Sequence, residues 1–257
     1  MFSSFFQKLF STRSKKNTSS KKSKKKSKKI SKLVNLDEAP SSYYHPVYFP
    51  TVKKIKTETG LEEKFGGSLP FFKKGESWPS IGKGKSKEYL VFLCQFRDPR
   101  NKKNELIRVF MDEEVTAGDS NFTYHGKPFI SKIDLDLHSK NQDTTVKNIS
   151  PVTYSPFEIT QWKKRKELIS YNQILEKLNS SLNNNQQEKV YQKYSKSKYA
   201  PSPSIKIGGT PIDIQGNSIV EKFNLIQLTH TDYLPFEWGD GGVANINDKL
   251  QLYWACH

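Results

Sequence analysis

The chain has 257 residues, and its 42 Lys and Arg outnumber its 26 Asp and Glu, giving a formal net charge of +16. That length suits one large domain or two small ones. Two cysteines, Cys94 and Cys256, exclude a disulfide framework and a four-cysteine zinc site, and read as reduced thiols of an intracellular protein. No apolar run approaches the roughly 20 residues of a membrane-spanning helix. The first apolar residues precede the charge instead of following it, the reverse of a secretory signal.

The charge is uneven. Residues 1–36 carry twelve basic groups and no acid, which leaves 30 basic and 26 acidic groups, a net of +4, for the other 221 residues. Phe2, Phe5, Phe6, Leu9 and Phe10 recur at the spacing of one helical face. A Lys/Ser run follows from Lys15 to Lys32. Residues 1–36 therefore read as a disordered basic tail with a short amphipathic start. Three roles fit it: association with an anionic membrane surface, a nuclear or non-specific nucleic-acid segment, or a solvated leader. Nuclear, cytoplasmic and peripheral-membrane locations are not separated by it.

Residues 37–257 read as a single α+β domain. Residues 37–60, rich in proline and tyrosine, suggest an irregular arm packed on a core. Tyr89–Phe96 is a strand-length apolar run rich in β formers. Leu106–Met111, Phe122–Tyr124 and Phe129–Ile133 suggest further strands, with a turn at Gly126 and Pro128. From Pro156 the pattern changes. Trp162, Leu168, Ile169, Ile174, Leu175 and Leu178 recur near a 3.6 period, which predicts one or two helices over 157–179, with Ser155 as N-cap and Pro156 at the first helical position. Polar low complexity spans 180–198, with a short helix near 187–195, so a helical and polar insert covers about 156–200. Strands return at Leu225–Leu228, Gly242–Ile246 and 250–254.

A motif occurs twice. Lys64-Phe65-Gly66-Gly67-Ser68-Leu69-Pro70 is restated as Lys206-Ile207-Gly208-Gly209-Thr210-Pro211, 142 residues later at the glycine pair. Each copy precedes a strand ending in glutamine, Leu93-Cys94-Gln95 and Leu225-Ile226-Gln227. Tight turns at positive φ, released by a proline, account for the residue types. The pattern predicts a mostly antiparallel sheet with internal pseudo-duplication, in halves of about 60–150 and 200–257. A third turn, Trp238-Gly239-Asp240-Gly241-Gly242, places an acid between glycines.

With Trp78-Pro79 and Gln215, these motifs resemble the YwqG-like domain family, a domain of unknown function widespread in bacteria, over roughly residues 60–257. The resemblance implies an α+β domain with internal duplication and no established activity. The polar segment before Pro201 and the lysine tail depart from the simple pattern.

No cofactor or metal is expected. His45, His125, His138, His230 and His257 are scattered without metal-ligand spacing. Asp134 and Asp136 alternate on an expected strand and offer too few oxygens for calcium. The domain therefore reads as a non-enzymatic binding or interaction module for a protein or small ligand, with Trp78, Gln95, Gln227, Trp238 and Asp240 as candidate contacts. The alternative is a hydrolase-type enzyme with Asp240 as general base, assisted by His230. A further alternative is nucleic-acid or anionic-membrane association through the tail.

Overall fold

The computed structural model describes residues 35–84, 87–112, 128–147, 150, 152–178, 182–212, 214–215 and 224–256. Residues 1–34 of the basic tail, the strand expected at Phe122–Tyr124 and the turn glycine Gly126 lie outside the described residues. The chain divides into two compact units, one of residues up to Tyr44 with Leu168–Ala200, the other of His45–Glu167 with Pro201–His257.

The strands in chain order are β1 (Tyr44–Lys54), β2 (Lys64–Phe65), β3 (Ser80–Ile81), β4 (Glu88–Tyr89), β5 (Val91–Arg97), β6 (Glu105–Met111) and β7 (Phe129–Asp134), then β8 (Phe157–Leu168), β9 (Lys206–Gly208), β10 (Ile226–Thr229), β11 (Val243–Ile246) and β12 (Leu252–Ala255). Three short helices join them, α1 (Leu135–His138), α2 (Tyr171–Lys177) and α3 (Asn184–Lys196). Ten strands form one mostly antiparallel sheet in the order β12-β11-β10-β9-β1-β8-β2-β5-β6-β7, and β3 pairs with β4.

Burial explains which strands the sequence made obvious. All of β5 but Arg97 and all of β6 but Glu105 are buried, so both faces carry apolar side chains and the strands read as continuous apolar runs. Leu93, Phe96, Ile107 and Val109 join the main core with Ile207, Ile226, Phe236 and Trp238. Phe92 and Phe110 enter a second cluster with Phe72, Trp78 and Leu90. A bulge between Phe92 and Cys94 shifts the register with β6.

Two expectations are corrected. Residues 157–168 form a strand, not a helix, so helical structure in this region begins at Tyr171. Its first residues, Phe157 and Glu158, pair with Phe65 and Lys64, and sheet pairing overrides the 3.6 spacing that Trp162 happens to share with Leu168 and Ile169. Ser170, not Ser155, caps the helix, in a capping box with Gln173. The expected irregular arm contains β1. Val47 and Tyr48 pair with Gly208 and Ile207, while Pro46 contributes its carbonyl to Gly209 N at 2.9 Å and needs no N–H there.

In the smaller unit, Leu36, Tyr43, Leu168, Ile169, Ile174, Leu182 and Val190 bury against one another. Its helix α3 runs further than the short helix expected near 187–195 and opens with a second capping box, Asn183 with Gln186. Asp134 also differs from expectation. It ends β7 and caps α1, accepting from Asp136 N at 2.9 Å, while Asp136 accepts from Asn104 Nδ2 at 2.8 Å.

Phe96 is fully buried in the main core, with its ring 6.2 Å from that of Trp162. Phe96→Ala should lower the unfolding free energy by about 3–5 kcal/mol. Urea titration with an unchanged m-value checks it, and a loss below about 1 kcal/mol would mean that the site lies outside the cooperative core.

Candidate functional site

The two Gly-Gly turns are built alike from their residues upward. In the first, β2 is only two residues long and lies between β5 and β8, with Lys64 opposite Gln95 on one side and Glu158 on the other. In the second, Lys206 of β9 lies opposite Gln227 of β10. Gly66 and Gly67 have φ of +62° and +97°, and Gly208 and Gly209 of +68° and +74°. Two successive residues at positive φ are accessible only to glycine without strain. Space adds a second reason. A Cβ on Gly67 would lie 2.1 Å from Glu58 Oε2, and one on Gly209 2.5 Å from Glu167 Oε2.

Those carboxylates hold a buried ammonium. Lys64 Nζ donates to Glu58 Oε2 at 2.6 Å, Glu62 Oε1 at 2.9 Å and the Leu69 carbonyl at 2.6 Å. Lys206 Nζ donates to both Glu167 oxygens, at 2.9 and 2.7 Å, and to the Thr210 carbonyl at 2.8 Å. Each ammonium has three donors and three acceptors, so neither fully buried lysine is left unsatisfied. Each carboxylate also takes a backbone N–H from beyond the glycines, Ser68 N by Glu58 at 2.9 Å and Thr210 N by Glu167 at 3.1 Å.

The glutamines complete the frame. Gln95 Nε2 donates to the carbonyls of Gly60 and Glu62, four and two residues before Lys64, at 2.8 and 2.7 Å. Gln227 Nε2 donates to those of Ser202 and Ser204, four and two residues before Lys206, at 3.0 and 2.8 Å. Their Oε1 atoms accept from Phe71 N and Ile212 N at 2.8 and 2.9 Å. One strand further out, Arg108 lies opposite Gln95 and donates to the Phe71 carbonyl, while Asn245 lies opposite Gln227 and donates to the Ile212 carbonyl. Arg108 also holds Glu76 at 3.0 Å.

Burial alone would raise the Glu58 carboxyl, but hydrogen bonds from Lys64, Ser68 N and Leu69 N together hold it below the ordinary range. Glu62 is likewise lowered against its burial by Thr59 and Lys64. Burial pulls the Lys206 ammonium below its usual value, with Glu167 pulling the other way. Burial pushes the Cys94 thiol up, which keeps it protonated and unreactive.

The sequence-derived candidates fall in different places. Trp78 is a core residue, its Nε1 donating to the Leu90 carbonyl at 2.7 Å and its ring packed on Phe72 and Phe110. Gln95 and Gln227 are buried in the frames just described. Trp238 is buried against Phe236, with ring centroids 4.7 Å apart, and its indole N–H has no partner among the described residues. Gly239 and Gly241 have φ of +80° and +60°, and a Cβ on Gly242 would lie 1.8 Å from the Trp238 carbonyl. Asp240 is exposed at the tip of this turn and makes no hydrogen bond or ion pair among the described residues. His230 pairs with Glu237, Nδ1 to Oε1 at 3.0 Å, and does not pair with Asp240. Among the described residues no three His, Cys, Asp or Glu are placed to hold a metal. Lys64 and Lys206 open the repeated motif but are not among the candidate contacts, and Glu58 and Glu167 lie outside it. The lysine two positions before each glycine pair was their signal.

These turns, repeated on an antiparallel sheet with short helices, define an α+β domain whose family can be named. A model of the family described as "Domain of unknown function (DUF1963)" matches residues 63–247. The chain belongs to that family, which includes YwqG-like domains. No curated protein matches the chain.

Glu58 and Glu62 carry lowered carboxyl values, so their contribution to stability is complete above the unfolded value of about 4.3 and is lost as pH falls through the folded values. Stability measured by urea titration should decline below about pH 4.5, and less steeply in Glu58→Gln. Equal steepness in parent and variant would contradict the assignment.

Proposed function

We propose that the folded part of this chain is a binding module, non-enzymatic in itself, that engages a polyanionic partner through β1 and β8. The observation that carries this reading is Lys163-Lys164-Arg165-Lys166, four consecutive exposed cations in a strand inside the ten-stranded sheet. Successive strand residues face opposite sides, so two cations stand on each face. Lys53 and Lys54, exposed at the end of neighbouring β1, extend the basic surface.

Several cations elsewhere in the chain are held by carboxylates. Arg97 holds Glu63, Arg100 holds Asp98 and Asp248, and Arg108 holds Glu76. Among the described residues, no carboxylate pairs with Lys163, Lys164 or Arg165. Unneutralised cations on a solvated surface attract phosphate or sulfate groups and release their counterions. Residues 1–36, with twelve basic groups, would add to the same attraction. The repeated turns serve as scaffold in this reading, two copies of one supporting unit.

Each phosphate-type contact contributes roughly 0.7–0.9 to the slope of log affinity against log salt. Replacing Lys163, Lys164 and Arg165 by Gln in the full chain should therefore lower the slope for heparin by about 2. It should also reduce the salt needed for elution from a heparin column. Unchanged elution by a variant with parental thermal stability would overturn the reading.

A further inference from the structure

The surface formed by β1 and β8 holds more than charge. Phe49 is partly exposed on β1, and Arg165 lies over its ring with the guanidinium 5.7 Å from the centroid. Tyr48, the next residue toward the N-terminus, packs against the main core, whereas Phe49 packs against none of the buried apolar clusters of the described residues. Its planar partner is the guanidinium. By the alternation of strand side chains, Lys53 shares the face of Phe49 on β1, and Lys163 shares that of Arg165 on β8. Both lysines are exposed. The Phe49 face thus combines a ring and a guanidinium, the two flat groups on which bases stack, with a cation on each strand.

We propose that this face binds single-stranded nucleic acid, with a base stacked at Phe49 and Arg165 and phosphates held by Lys53 and Lys163. The proposal rests on the polyanion reading above and names its partner. A duplex keeps its bases paired inside and would present phosphates alone, which gives no role to Phe49. An anionic lipid surface would likewise draw on the cations and be indifferent to the planarity of one ring. Stacking on one ring is tolerant of sequence, because every base has a π-face, so the expected selectivity is for strandedness and not for a base order.

The test is fluorescence anisotropy on the full chain with a labelled oligothymidine of about 20 nucleotides and a duplex of matched length, beside co-sedimentation with phosphatidylserine vesicles. Phe49→Leu keeps an apolar side chain, though a smaller one, and removes the ring. It should weaken oligothymidine binding about tenfold while leaving duplex and vesicle binding unchanged. Phe49→Trp, which supplies a larger stacking surface, should bind oligothymidine more tightly than the parent with duplex binding unchanged, and provides the reading if Phe49→Leu fails to fold. Unchanged oligothymidine binding by both variants, or equal weakening toward oligothymidine and duplex, would overturn the proposal. So would a loss confined to vesicles, which would assign the face to lipid. If Lys163→Gln with Arg165→Gln weakens heparin binding while Phe49→Leu leaves oligothymidine binding intact, the polyanion reading stands and the nucleic-acid assignment falls. Indifference to all of these changes would remove both.

Discussion

A buried ammonium beneath each glycine pair is the constraint on which the sheet depends. Lys64 and Lys206 lie wholly inside the protein, in strands of two and three residues. Such short strands gain little from ladder hydrogen bonds, so their place in the sheet must be fixed by other means. The lysine reaches a carboxylate and the carbonyl after the glycines, and the carboxylate reaches a backbone N–H beyond them. One ion pair thus ties three stretches of chain to one point. A buried pair of this kind adds little net stability compared with an apolar replacement, but removing one partner leaves an uncompensated charge, so its effect is to make alternative arrangements costly.

The exposed surface follows from the same arrangement. On one side of the sheet centre, β2 anchors β5 and β6, and on the other, β9 anchors β10 and β11. These anchored strands bury both faces. Between them lie β1 and β8, the fifth and sixth strands of ten, where burial gives way to exposed cations. A central strand open on both faces would ordinarily be a weak point. Here Tyr48 and Phe49 each lie under a cation, Lys164 at 5.9 Å and Arg165 at 5.7 Å from the ring centroid. The aliphatic stems of long basic side chains can cover apolar surface while their charges remain in water.

The parts of this structure that were legible in the sequence share a physical basis. Strands β5 and β6 announced themselves because apolar β formers fill a strand-length run. The glycine pairs were legible because only glycine suits their φ values. Strand β8 was misread because its cations have no period and its apolar residues mimic helical spacing by coincidence. Strand β1 was hidden by Pro46 and Pro50. The clamp residue Glu167 could not be found by spacing, since it stands 39 residues before Lys206 with both helices α2 and α3 in between. Asp240 was singled out for its glycine neighbours, which establish the turn and give its exposed carboxylate no partner among the described residues.

The most direct measurement of the clamp is a double-mutant cycle of Lys206→Met and Glu167→Leu, followed by urea unfolding. Each single change should cost about 3–5 kcal/mol by leaving a charge buried alone. The double variant should cost far less than the sum, with a coupling energy of about 2 kcal/mol or more. Additive losses would contradict the account, because they would show that the lysine and the carboxylate stabilise the turn independently.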